Sequence, residues 1–305
     1  MSAIARRKGR GKASSTLALI DAAVRILEEI HPATVRAVCY RLFVEALIPS
    51  MAKANTDKVS KQLVWAREQG YLPWDWVVDE TREAEHVNTW RSPREIIEAA
   101  VGGYRKDYWQ AQPRWVEVWS EKGTIRGTLA PVLKKYGVTF RVMHGYGSAT
   151  SLHGIAEETA RNEKPLTVLY VGDWDPSGLH MSGVDLPTRI ARYDGQVEIV
   201  RTALDLSDVG SDTALPSFAA ESKSKDPRHK WFIERYGQHC WEVDALSPAI
   251  LRERIEAEIV GRLDMDAWHH AIGIERAERE SMANVLGIWN SICGQADKCS
   301  PGRQA

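Results

Sequence analysis

Leu166 to Val171 forms a six-residue, largely apolar run closed by Pro165 before it and Gly172 after it. A run of that length with so little polar interruption suits a strand covered on both faces, the central strand of a parallel sheet. Its surroundings repeat a strand–helix alternation. Trp115 to Trp119 reads as a strand, about Thr124 to Tyr136 as a helix that Gly137 ends, and Val138 to Val142 as the next strand. His144 to Ser148 is a turn, about Ala149 to Asn162 a helix, and Val197 to Arg201 a further strand. Pro176 suits the first position of another helix, where its missing N–H costs nothing. This alternation predicts an α/β domain with a mostly parallel, Rossmann-like sheet.

The amino-terminal part is different. Residues 14–30 have a helical period, with Ser14 or Ser15 as cap and Leu17, Ile20, Val24 and Leu27 on one face; His31-Pro32 breaks it. A second helix is expected from Thr34, burying Val35, Val38, Cys39, Leu42, Phe43 and Ala46, and a third from about Thr56-Asp57 to Gln69, with Gly70 ending it. Leu72 to Val78 is β-like. Three helices followed by a strand or wing is the winged-helix order, which many small helical units share. The predicted division is a basic flexible tail over 1–13, a helical winged-helix domain over 14–80, linker plus helix over 81–113, a sheet domain over 114–245 and a C-terminal helical segment over 246–305.

Composition narrows the setting. Hydrophobic residues make up 44% and charged residues 27% of the 305, so a packed, soluble protein is expected. Apolar runs fall short of the roughly 18 residues of a membrane span, and the basic N-terminus lacks the apolar stretch of a secretory signal. Cys39, Cys240, Cys293 and Cys299 show neither zinc nor disulfide-framework spacing, which points to reduced thiols and a cytoplasmic, nucleoid-associated location. Residues 1–41 hold eight Lys/Arg against three acids. That asymmetry suggests a polyanion contact at this end, or a solvated tail over Arg6 to Lys12.

Ligands of open parallel sheets bind beyond the carboxyl ends of strands. Glu121 follows the first strand of the sheet domain, and Asp173 and Asp175 follow the central one, spaced to share a side of an extended chain. Three such carboxylates together call for a cation; hard oxygen donors suit Mg²⁺, which accepts phosphate oxygens in its open positions. Lys122 can meet a phosphate as a point charge. The bland readings are loop residues for the acids and, for Asp175, the N-cap of the helix after Pro176. On the second helix Tyr40 falls away from the apolar face, one turn beyond Arg36. Such a tyrosine can act as an oxygen nucleophile on phosphorus, its phenol pKa lowered by the arginine; the alternative is an aromatic packed against the neighbouring domain.

Together these features resemble the A subunit of topoisomerase VI and its relative, the meiotic double-strand-break transesterase. Those proteins join a winged-helix domain bearing a catalytic tyrosine to a Toprim domain. Arg36-Ala37-Val38-Cys39-Tyr40 fits the family's Arg-x-x-[aromatic]-Tyr motif, with Cys39 in the aromatic place. Trp119 to Gly123 and Gly172-Asp173-Trp174-Asp175-Pro176-Ser177-Gly178 match the Toprim glutamate and Asp-x-Asp strings in order and context. The resemblance covers roughly residues 15–245 and is nearest to a stand-alone, phage- or mobile-element-type "Mini-A" relative, with 114–245 as the Toprim domain. Trp241 to Leu246 also resembles a motif of these proteins, its two acids either structural or in support of the metal site.

The resemblance implies a homodimer on double-stranded DNA, in which Tyr40 of one subunit attacks a phosphodiester held by the Mg²⁺ at Glu121, Asp173 and Asp175 of the other. It leaves a 5′-phosphotyrosyl link. Arg36, Arg41, Lys58, Lys61, Arg67, Lys223 and Lys225 are the expected DNA contacts, the Lys223 region being alternatively a solvated loop. No Walker-type glycine string is present, so ATP-driven strand passage would need a separate ATPase B-type subunit. Two other functions share these residues: a Mg²⁺-dependent Toprim nuclease with water as nucleophile, and a non-catalytic DNA-binding dimer.

Overall fold

The computed structural model describes residues 13–78, 89–143, 146–162, 164–210 and 215–298. Most of the expected basic tail, residues 79–88 with the start of the expected 81–113 linker, and the His144-Gly145 part of the expected turn lie outside these residues.

In chain order the elements are α1 (Ser14–Ile30), β1 (Ala33–Thr34), α2 (Val35–Val44), α3 (Lys53–Glu68), β2 (Val77–Val78), α4 (Pro93–Gly103), β3 (Trp115–Ser120), α5 (Ile125–Tyr136), β4 (Thr139–Val142) and α6 (Ala149–Asn162). Then follow β5 (Leu166–Val171), α7 (Pro176–His180), α8 (Leu186–Ala191), β6 (Val197–Ala203), β7 (Ser217–Ala219), α9 (His229–Tyr236), β8 (His239–Trp241), α10 (Pro248–Val260) and α11 (Met265–Lys298). A single π-type turn, Met181–Asp185, joins α7 to α8. Among the described residues no helix is long and apolar enough to cross a membrane.

The described residues fall into two compact units, one of residues 13–78 with 114–262 and one of 89–113 with 263–298. This division differs from the one expected from sequence: α10 groups with the sheet, and residues 89–113 share a unit with the C-terminal helix.

The larger unit is α/β. Its four-stranded sheet has the order β4-β3-β5-β6, every neighbouring pair parallel. The chain runs from β3 outward to β4, then returns past β3 to β5 and continues to β6. β3 and β5 therefore flank the point where winding reverses, the crevice in which such sheets hold ligands. Right-handed crossovers put α5 on one face and α6 and α8 on the other; accordingly α5 packs on α10, and α6 on α8. All six residues of β5 are buried, as the apolar run requires. Trp119, Val168, Tyr170, Leu152, Ile155 and Ile190 pack together between the sheet and α6/α8.

In the same unit, α1–α3 enclose a separate core of Ile20, Ile26, Leu27, Val38, Leu42, Val59 and Leu63. Thr34 caps α2, its hydroxyl accepting the Ala37 N–H at 3.2 Å. α1 starts without a side-chain cap, with Ala13 at the position expected for Ser14 or Ser15. α3 begins at Lys53, earlier than its apolar period shows, because Asn55 ties its first turn to Ser50 through bonds of 2.9 and 3.1 Å. The strand expected over Leu72–Val78 is a 3₁₀ turn, Trp74–Trp76, and only two residues of strand, β2, which pairs parallel with β1. Aromatic stacking accounts for the difference: Trp76 lies flat on His31 with centroids 4.4 Å apart, and Trp74 sits under the Arg67 guanidinium at 4.7 Å.

In the smaller unit, α11 packs on α4 and on the segment after it. Glu278 accepts from the Tyr104 hydroxyl at 2.6 Å and from Lys106 Nζ at 3.1 Å. Trp268 meets Tyr108 edge-on at 4.7 Å.

Candidate active site

Asp173 and Asp175 leave the end of β5 on a loop that Arg201 holds from below. Its guanidinium spends all five N–H donors: Nε on Leu204 O (2.6 Å), Nη1 on Gly178 O (3.1 Å) and Ser182 Oγ (2.7 Å), Nη2 on Gly172 O (2.9 Å) and on Asp173 O. Asp175 caps α7, Oδ1 accepting the Gly178 N–H at 2.7 Å, and Pro176 takes the first helical position. The cap role weighed for Asp175 in the sequence is thus what the structure has. Gly178 comes so close to the loop that a β-carbon on it would lie 2.4 Å from Asp173 O. Gly178→Ala is accordingly expected to destabilise the protein by about 2–4 kcal/mol, read as a lowered urea midpoint.

Three carboxylates gather at this crevice, but lysines neutralise two of them. Lys122 Nζ bonds Asp173 Oδ1 at 2.8 Å, and Lys223 Nζ pairs with Asp175 Oδ2 at 3.0 Å. Asp173 Oδ1 also accepts the Val243 N–H at 2.8 Å. Burial works against the Lys122 charge, yet Asp244, Asp173 and Glu242 outweigh it and hold the amine well above its ordinary pKa. Lys122 is therefore a fixed positive charge and not a base. Glu121, half-buried, has no such partner among the described residues. Burial, then the charges of Asp173 and Asp175, push its carboxyl up to about 7.

Among the described residues, no three His, Cys, Asp or Glu side chains form a group that could hold a metal ion. The donors that remain are Glu121 and Asp173 Oδ2, which make no hydrogen bond to described residues, while both oxygens of Asp175 are engaged. Glu121, whose charge no lysine neutralises, and the Oδ2 of Asp173 left over from its Lys122 pair are hard oxygens of the kind Mg²⁺ takes; Asp175 joins them only if it gives up Lys223. The same lack of compensation has a thermodynamic sign. A carboxyl near 7 in the fold and near 4.5 when unfolded holds its proton better folded, so stability is lost as pH rises between those values. Without divalent ions, Glu121→Gln is expected to raise the unfolding free energy by about 2–3 kcal/mol at pH 8 and by almost nothing at pH 4. Urea titrations in EDTA at both pH values check it.

Arg36 and Tyr40 reach the same place from α2. Arg36 Nε donates to Asp244 Oδ2 at 2.8 Å, and Nη2 bonds Glu242 Oε2. The Tyr40 hydroxyl bonds Glu242 as well, and the Arg36 guanidinium stands 5.5 Å from the Tyr40 ring centre. Glu242 and Asp244 follow β8, and that strand is fixed to the Asp173 loop by paired N–H···O bonds of 2.9 and 3.0 Å between Trp174 and Trp241. Two sequence expectations change here. Tyr40 is not held off the core; it is 5% exposed, because the Val243–Ala245 turn packs over the helix face that looked free. Its pKa is raised, not lowered: burial and the Glu242 carboxylate outweigh Arg36. Glu242 answers in the other direction; burial would raise it, but Lys122, the Tyr40 hydroxyl and Arg36 hold it below its ordinary value.

Of the remaining expected DNA contacts, Lys58, Lys61 and Lys225 are exposed. Arg67 lies over Trp74, and Arg41 approaches Glu29 at 3.8 Å. Arg36 and Lys223 are engaged in ion pairs with the strand-end acids, so neither is an open phosphate contact in this state. Sequence reasoning missed Arg201. Its position inside a strand carried no signal, and only the strand-end carbonyls around it reveal its role. Compared with known proteins, the chain matches no protein-family model and no curated protein sequence.

Proposed function

We propose that the chain cleaves DNA phosphodiesters by tyrosine transesterification in the manner of the topoisomerase VI A subunit, α1–α3 with β1 and β2 acting as a winged-helix domain and the sheet as a Toprim domain. One observation carries the reading: Arg36, on the helix of Tyr40, is ion-paired with acids on the loop that also holds Asp173, so nucleophile and strand-end acids meet in one site. Lys58 and Lys61, exposed one turn apart on α3, offer charge to a duplex backbone. In the reaction the Tyr40 Oη–P bond forms as the P–O3′ bond breaks. The phenol gives up its proton and the leaving 3′ oxygen takes one up, so a 5′-phosphotyrosyl end and a 3′-hydroxyl result. Arg36 binds the attacked phosphate, and Lys122 supplies fixed charge beside it. Mg²⁺ at Glu121 and Asp173 would polarise the phosphate and stabilise the leaving oxygen. The working form is a homodimer on duplex DNA, with a separate ATPase B-type subunit where strand passage is driven.

A second reading, a Mg²⁺-dependent nuclease, is favoured by Glu121, whose carboxyl, near 7 in the metal-free chain, would serve as general base for water with the ion held at Asp173 instead. The experiment is incubation with end-labelled supercoiled DNA and Mg²⁺, then denaturation and a search for labelled DNA attached to protein. Attached DNA supports transesterification; cut DNA free of protein supports the nuclease; uncut DNA under all metal conditions counts against both.

A further inference from the structure

Two carboxylate oxygens in this site are arranged as phosphate oxygens would be. Asp244 Oδ2 lies 2.8 Å from Arg36 Nε and 3.0 Å from Lys122 Nζ. Glu242 Oε2 bonds Arg36 Nη2, stands 3.5 Å from Lys122 Nζ, and its carboxylate takes the Tyr40 hydroxyl. Each oxygen thus bridges a guanidinium and an ammonium, and the Glu242 carboxylate also meets the phenol. A guanidinium fork accepts two phosphate oxygens with the same geometry it uses for carboxylate oxygens. The two acids also differ in access: the Asp244 side chain is 3% exposed, whereas Glu242 and Arg36 are open at 27% and 44%.

We infer that Glu242 is an internal stand-in for a backbone phosphate, occupying Arg36, Lys122 and Tyr40 in the DNA-free chain until a phosphodiester displaces it, with Asp244 as the fixed anchor of the same pair of cations. This rests on the transesterase reading for its consequence, though not for its binding chemistry. With Glu242 in place, the phenol points its proton at a carboxylate and has no phosphorus before it. An incoming phosphate reaches Arg36 from the exposed side, takes the position of Glu242 Oε2, and so brings phosphorus to the phenol in the step that binds DNA. Glu242 is held by a guanidinium, an ammonium and a phenol, and Asp244 by the same guanidinium and ammonium, so neither is added to the Mg²⁺ donors.

The test measures binding apart from chemistry. A fluorescent duplex is titrated in EDTA at fixed salt with the wild type, Glu242→Gln, Arg36→Gln and the double variant, all as the full chain. Glu242→Gln is expected to bind about tenfold tighter, and the gain is expected to vanish when Arg36 is also replaced, since the competition is for that side chain. In Mg²⁺ its covalent adduct is expected to form faster per bound duplex. Unchanged or weaker binding by Glu242→Gln overturns the inference, as does an equal gain with and without Arg36. Tighter, Arg36-dependent binding without adduct from any variant upholds the phosphate competition while sinking the transesterase reading.

Discussion

Tyr40→Phe is expected to abolish the covalent protein–DNA adduct, cutting its yield by about 10³-fold or more, while duplex affinity and folding stay near wild type. A phenyl ring has no oxygen to form the bond to phosphorus, so the loss is one of chemistry. The fold tolerates the change because Glu242 keeps Arg36 and Lys122 when the hydroxyl goes, and the ring stays in its buried place. Losing one hydrogen bond of this kind costs about 1 kcal/mol. Gel analysis of trapped complexes, beside a urea curve for the same sample, gives both numbers. Adduct formed at the wild-type rate would remove Tyr40 from the mechanism. Strand cleavage that persists without adduct would hand the chemistry to water and Glu121.

The second large effect is structural. Arg201→Met is expected to cost about 3–5 kcal/mol of stability and, at temperatures where the variant stays folded, to depress Mg²⁺-dependent cleavage. Methionine fills part of the space but removes the only donor described for Leu204 O and Asp173 O, and one donor each from Gly172 O, Gly178 O and the Ser182 hydroxyl, of which Gly172 O keeps the Leu204 N–H and Gly178 O the Ser182 hydroxyl. Arg201→Lys keeps a charge and up to three donors, and is expected to recover part of the stability. Arg201 touches no reacting atom; it positions the Asp173 loop. Its signature is therefore a fall in kcat with the Mg²⁺ requirement displaced to higher concentration. A stable Arg201→Met protein with normal Mg²⁺ dependence would show that the loop holds itself.

What could be read from sequence follows the range of the forces involved. The buried strand β5, the α6 boundaries and the capping of α7 by Asp175 depend on neighbours a few residues away, and composition and spacing carry that information. The acids at the ends of β3 and β5 were legible for the same reason, since strand direction alone puts them at one edge of the sheet. Of the two readings of Tyr40, the packed aromatic is the one the structure has, and a helical wheel, which sees one helix, could not name what packs on it; that group is a turn more than 200 residues later, joined by the Arg36 bonds to Glu242 and Asp244 at separations of 206 and 208. Lysine pairing was equally hidden. Nothing in the order of residues says that Lys122 and Lys223 turn inward to Asp173 and Asp175 and not outward to solvent.

The bridge between Trp174 and Trp241 bears on where this polypeptide can be divided. A chain stopped after Ala203 would keep all four strands of the parallel sheet, and by topology alone it would look like a finished domain. It would nevertheless lack Val243, whose N–H steadies Asp173, and two of the three acids that hold Lys122. Arg36 would have nothing to grip. The sheet is thus not a separable part to which later segments are appended. Splitting the gene between β6 and β7, or grafting the sheet alone onto another binding domain, would deliver the framework without its working charge.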